Sequence, residues 1–207
     1  MFERVKLDLD LTHHPKVAEA VKAARRWIDR KYNRKIGFAS LILLAGQNGN
    51  TTGRGVGKTR IAQALLHTSC YGTTDGVLLG PLGTFLMANA AIEQLGPGVS
   101  PKLVLGNRPI VVLDEVGNEQ RIEYIPNGEL VKEMHNRWSR LVDYAYTNDI
   151  SLIITSNLPR TALAQHMGLT AWSRLVRMCG GRQGVVDLTG VPDYRLTQVR
   201  QELEDEE

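Results

Sequence analysis

Apolar residues in this chain gather into short unbroken runs separated by stretches of helical period. Leu41-Ile42-Leu43-Leu44-Ala45, Ile110-Val111-Val112-Leu113 and Ile150-Ser151-Leu152-Ile153-Ile154 are the clearest runs. Continuous apolar segments of that length read as strands buried on both faces, not as half-exposed strands, which would alternate. Between the runs the period changes. Val17, Ala20, Val21, Ala24, Trp27 and Ile28 fall on one face of a helix over residues 14–31, with Pro15 suited to its first turn. Residues 60–70, 82–95, 128–146, 161–167 and 171–178 are also expected to be helical. Residues 76–79 and 184–188 read as short strands, and residues 96–101 as a loop. Strands alternating with helices predict an α/β domain: a parallel sheet with helices on both faces. Such sheets place ligands beyond the carboxyl ends of their strands.

Three segments with chemical potential lie at those ends. After the first run comes Gly53-Arg54-Gly55-Val56-Gly57-Lys58-Thr59, which leads into a predicted helix. Glycines let backbone N–H groups approach a phosphate closely, and the helix start adds its positive dipole end. Lys58 then reaches the β- and γ-phosphates, and the Thr59 hydroxyl holds Mg²⁺. Gly53, Gly55, Val56, Gly57 and Arg60 complete the expected binding loop. The spacing departs from G-x-x-x-x-G-K-[ST] in one respect. Thr52 stands where the first glycine belongs, and ten residues separate Gly46 from Gly57 where the pattern has four. Residues 47–52 therefore read as an insertion in the loop mouth.

Asp114-Glu115 ends the second run, so both carboxylates emerge at a strand tip. Asp114 can hold Mg²⁺, and Glu115 can polarise the water that attacks a γ-phosphate. Thr155-Ser156-Asn157 ends the third run, and the Asn157 amide can orient that water or sense the phosphate. A bare glycine-rich turn, two surface acids and a turn asparagine are the bland alternatives. The order of the three segments, each directly after an apolar strand, argues against all of them.

Size and composition narrow the picture only slightly. The 207 residues suffice for one α/β core, and 43% hydrophobic with 23% charged residues is ordinary for a globular domain. A net charge of +3 makes no argument for nucleic acid. Cys70 and Cys179 have no metal-ligand spacing, the N-terminus has no signal-peptide core, and no apolar run approaches a membrane span. The expectation is a cytoplasmic protein.

The loop, the acid pair and the strand-end asparagine together resemble the AAA+ ATPases. More narrowly, they resemble the DnaC-type replicative helicase loaders and the related IstB-type transposition ATPases. The resemblance rests on I-V-V-L-D-E-V-G-N from Ile110 to Asn118 and L-I-I-T-S-N-L from Leu152 to Leu158. Ser173-Arg174-Leu175 and Pro192-Asp193-Tyr194-Arg195 are looser matches. It spans roughly residues 17–196 and implies a three-layer αβα P-loop NTPase fold with a parallel sheet of order 5-1-4-3-2. ATP or ADP with Mg²⁺ would lie between neighbouring subunits of a nucleotide-dependent homo-oligomer. Lys58 and Thr59 match the Walker A pair, Asp114 and Glu115 the Walker B pair, and Asn157 the first sensor. Arg174 matches the arginine finger that reaches an adjacent subunit's nucleotide, with Arg177 one turn later as the alternative. Arg195 resembles a second sensor acting within its own subunit. The implied organisation is a helical segment over 1–38 packing on the core, a AAA+ core over 39–196 and an acidic tail over 197–207. The first segment is too short for the helicase-binding module that such loaders carry.

The expected function is an ATPase in DNA replication that loads a replicative helicase. A transposition ATPase differs only in its partner, a transposase. A nucleotide-gated binding module with little turnover is the third reading, and the altered loop keeps it open. A phosphotransferase is disfavoured because no arginine-rich lid is apparent and Glu115 favours water. Single-stranded DNA is a further expected ligand, weakened because residues 76–100 hold no Lys or Arg. Lys22, Arg25, Arg26, Arg30, Lys31, Arg34 and Lys35, interleaved with Trp27 and Tyr32, fit an amphipathic helix with a charged outer face better than a DNA surface.

Overall fold

A computed structural model describes residues 14–33, 39–47, 53–70, 73–74, 77–78, 83–117 and 129–193. Five parallel strands form the sheet: β1 (Leu41–Leu44), β2 (Gly83–Met87), β3 (Ile110–Val116), β4 (Ser151–Ser156) and β5 (Val185–Asp187). Their spatial order is β2-β3-β4-β1-β5, the order the resemblance implies, read from the opposite edge. The described helices are α1 (Pro15–Asn33), α2 (Lys58–Cys70), α3 (Ala88–Gln94), α4 (Pro101–Leu105), α5 (Glu129–Thr147), α6 (Arg160–Met167) and α7 (Leu169–Met178).

Because side chains alternate along a strand, each central strand feeds two cores. Ile42, Leu44, Val111, Leu113, Leu152 and Ile154 pack against α3, α5, α6 and α7. Leu41, Leu43, Ile110, Val112 and Ile153 pack against α1 and α2. This double burial explains the unbroken apolar runs. The α1 face predicted from periodicity is the buried one: Val17, Ala20, Val21, Ala24 and Trp27 all belong to the second core. The Trp27 indole donates to the Ala39 carbonyl at 2.6 Å, so this ring is a core anchor and not a base-stacking platform. Lys31, at the end of α1, donates to the Pro109 carbonyl at 3.3 Å and the Ser151 hydroxyl at 2.8 Å. It thereby ties α1 to the starts of β3 and β4. Burial lowers its pKa from the ordinary lysine value, and the charge of Asp149 opposes part of that shift.

One expectation fails between residues 76 and 95. The second strand of the sheet is not at 76–79; Val77–Leu78 instead pairs antiparallel with Thr73–Thr74, apart from the main sheet. Residues 83–87, expected to open a helix, are β2 at the sheet edge, in register with Ile110–Asp114. Only residues 88–94 of that stretch are helical. The apolar run is continuous across the strand-to-helix junction, so periodicity could not separate the two states. The short α4 was also not expected; the Ser100 hydroxyl accepts from the Lys102 amide at 3.3 Å and caps it, with Pro101 in its first turn.

Cys179 follows α7 and is completely buried, and desolvation raises its thiol pKa well above the ordinary range. In a maleimide pulse read by mass spectrometry, Cys179 should label about 100-fold more slowly in the native protein than in guanidinium, because reaction requires opening of the core. Equal rates would show that the packing of α7 on the sheet is not stable.

Candidate functional site

The carboxyl ends of β1, β3 and β4 converge on the start of α2. Gly53, Gly55 and Gly57 all have positive φ, at 69°, 65° and 90°. Side-chain-bearing residues adopt that conformation only with strain, which accounts for three glycines in five residues. Gly53 also stands directly over the end of β1, where any Cβ would overlap the Ala45 carbonyl. The loop thus closes back on the strand at Gly53. Residues 48–52, most of the expected insertion, lie outside the described residues. Val56 is buried in the second core and pins the loop from beneath. Arg60 is exposed on the first turn of α2.

Lys58 is 7% exposed. Its ammonium donates to the Gly53 carbonyl at 2.5 Å and to Asn157 Oδ1 at 2.8 Å. One side chain thereby links the loop to the end of β4. The Thr59 hydroxyl lies 3.0 and 3.2 Å from the two oxygens of Asp114. Asp114 is buried, and the Thr155 hydroxyl donates to its Oδ1 at 2.5 Å.

Glu115 departs from ordinary strand geometry. Leu113 pairs with Ile154 and Val116 with Ser156, so two residues of β3 stand opposite the single Thr155 of β4. This is a β-bulge, and Glu115 takes up the extra length at φ 58°. A left-handed non-glycine residue costs on the order of 1–3 kcal/mol and persists only where the surroundings hold it. Here the Glu115 amide donates to the Thr155 hydroxyl at 3.0 Å. The bulge has a geometric consequence. In a regular strand adjacent acids would point to opposite faces; the bulge frees Glu115 from that alternation.

Thr155 was not singled out from the sequence, yet it serves both acids, accepting from the Glu115 amide and donating to the Asp114 carboxylate. Ser156 is equally engaged, donating to the Val116 carbonyl at 2.7 Å and accepting from the Leu158 amide at 3.0 Å. Successive residues of Thr155-Ser156-Asn157 thus fix the acid pair, the end of the bulge and the loop lysine. The signal was present as three consecutive hydrogen-bonding side chains closing an apolar strand.

Hydroxyl and carboxylate oxygens are the hard donors that suit Mg²⁺, and two of them side by side, from Thr59 and Asp114, fit a cation that keeps water and phosphate oxygens in its remaining positions. Among the described residues no group of three or more His, Cys, Asp or Glu side chains could hold a metal unaided.

Arg174 lies on α7 and does not belong to this cluster. Its guanidinium pairs with Asp143 of α5 and stands over the Tyr146 ring, 5.7 Å from the centroid. Arg177 is exposed one turn on. Arg195 lies outside the described residues.

A five-stranded parallel sheet of this order, with a glycine-rich loop between β1 and α2, is the α/β fold of P-loop NTPases. The crystal structure of DnaI superposes on 93% of this chain and 93% of its own, with a TM-score of 0.53 and 16% identity. A protein from Streptococcus pyogenes serotype M3, named as a candidate primosome component, covers 83% of this chain and 79% of its own at a TM-score of 0.47 and 16% identity. No protein-family model matches the chain, and no curated protein matches it. Among the described residues no helix is long and apolar enough to cross a membrane.

Proposed function

We propose that this protein is a AAA+ ATPase of the DnaC type that binds ATP with Mg²⁺, hydrolyses it and acts in DNA replication as a loader of the replicative helicase. One observation carries the ATPase part: separate strand ends bring two hydrogen-bonded sets to the start of α2, Lys58 with Asn157, and Thr59 with Asp114 and, through Thr155, the Glu115 amide. In this scheme Lys58 and the loop amides hold the β- and γ-phosphates, while Thr59 and Asp114 are the ligands the chain offers to Mg²⁺. The bound cation would neutralise charge that develops on the phosphates. Glu115 takes a proton from water, and Asn157 orients that water or the γ-phosphate. The replication part rests on the resemblance of the motif order to helicase loaders, supported by the likeness in fold to DnaI. A replicative helicase is the partner this implies, with single-stranded DNA as a second ligand and a ring or filament of identical subunits as the working form.

Lys58→Ala tests nucleotide binding. Among the described residues Lys58 is the one buried cation, and it lies on the Gly53 carbonyl, so its loss should weaken MgATP binding by about 100-fold, equivalent to about 2.7 kcal/mol. Titration calorimetry reads this directly, and equal affinity would remove the loop from nucleotide binding. Steady-state phosphate release with and without single-stranded DNA then separates an ATPase from a binding module with little turnover.

A further inference from the structure

The chain that leaves β5 crosses the mouth of the phosphate loop and is fixed there. The Leu188 amide donates to the Leu44 carbonyl at 2.7 Å, which extends the pairing with β1 past the end of the strand. The Gly46 amide donates to the Thr189 hydroxyl at 2.8 Å, and the Lys16 ammonium donates to the Thr189 carbonyl. Val191 is fully buried in the same apolar cluster as Val56 of the loop. Two residues later, Asp193 lays its carboxylate on Gly55. Asp193 Oδ2 is 2.5 Å from the position a Cβ on Gly55 would take, and Oδ1 is closer still. Only a glycine leaves room for the carboxylate here.

A loop of glycines at a helix start attracts anions, because its N–H groups and the helix dipole end present positive potential. The first turn of α2 carries no acidic residue that would offset it. A polyphosphate and a carboxylate brought to that surface compete for it. We propose that Asp193 is a built-in competitor for the phosphate loop, carried on a strap of residues 188–193, so that nucleotide binds only by displacing it. The proposal rests on the reading of the loop as a nucleotide site and adds a determinant of its affinity. Nucleotide entry then moves the strap, which is tied to the residues after β1 by the Gly46 amide on the Thr189 hydroxyl. A site whose competent form is only fractionally populated binds its ligand more weakly by that same fraction.

Titration calorimetry with MgADP and MgATP on the full chain tests this. Asp193→Asn and Asp193→Ser should each bind both nucleotides about tenfold more tightly than the parent protein, as expected if the open form is about a tenth of the population. Glu93→Gln removes the same charge from the exposed side of α3 and should leave affinity unchanged. Thermal melts followed by circular dichroism confirm that the variants fold, and the two Asp193 substitutions guard against a defect peculiar to one. Unchanged or weaker binding by both variants would overturn the proposal while leaving the nucleotide site standing, as would equal tightening by Glu93→Gln. Failure of the parent and every variant to bind any nucleotide would remove both.

Discussion

Glu115→Gln is expected to lower ATP turnover by roughly 10²–10⁴-fold, the usual contribution of a positioned general base, while nucleotide affinity stays within a few-fold of the parent. The substitution is conservative because the backbone itself fixes the conformation of residue 115. Its amide donates to the Thr155 hydroxyl at 3.0 Å, and the bulge in β3 sets φ at 58° whatever side chain is present. Glutamine fills the same volume and bears the same left-handed strain, so the melting temperature should hardly move. What it loses is the ability to accept a proton. Single-turnover phosphate release gives the chemical step, and calorimetry gives the affinity. Turnover equal to the parent's would take Glu115 out of the base role. A fall in affinity matching the fall in rate would mean that residue 115 supports binding and not chemistry.

How much of this site the sequence discloses follows from how local each determinant is. The loop, the acid pair and Asn157 were legible because each lies within a few residues of the strand that positions it, and that strand is apolar throughout. The layered α/β class was legible for the same reason: central strands buried on both faces leave continuous apolar runs. The β2 strand was not legible. Thr84, Phe85 and Leu86 are only half-buried at the sheet edge, and what makes them a strand is pairing with Val111, Val112 and Leu113, more than twenty positions away. Pattern alone merges them with the helix that follows. The bulge at Glu115 was hidden in the same way. Asp-Glu at a strand end says that two acids are present; only the register against β4 shows that one has been turned out of the alternation. Asp193 was read merely as part of a loose C-terminal match, since nothing near it in sequence indicates Gly55 as its neighbour.

Arg174→Ala should reduce turnover by about a thousandfold if this arginine serves a neighbouring subunit's nucleotide, the lower end of what a trans arginine contributes. Within its own chain Arg174 is paired with Asp143 and lies over Tyr146, away from the candidate-site residues around Lys58. The Asp143 pairing is no barrier to such a role. The side chains are 37% and 47% exposed, and ion pairs that open to water are worth only about 0–1 kcal/mol. A neighbour's polyphosphate can draw the guanidinium away at small cost. Mixing subunits separates action between subunits from action within one. A head-to-tail contact takes its arginine from one copy and its lysine from the next, so Arg174→Ala and Lys58→Ala chains are each inactive alone. Mixed in equal amounts, about a quarter of their contacts join an intact Lys58 site to an intact Arg174. Phosphate release should therefore recover to about a quarter of the parent rate. No recovery, with assembly confirmed by light scattering, would place Arg174 in its own subunit's structure and leave Arg177 as the arginine to test in the same way.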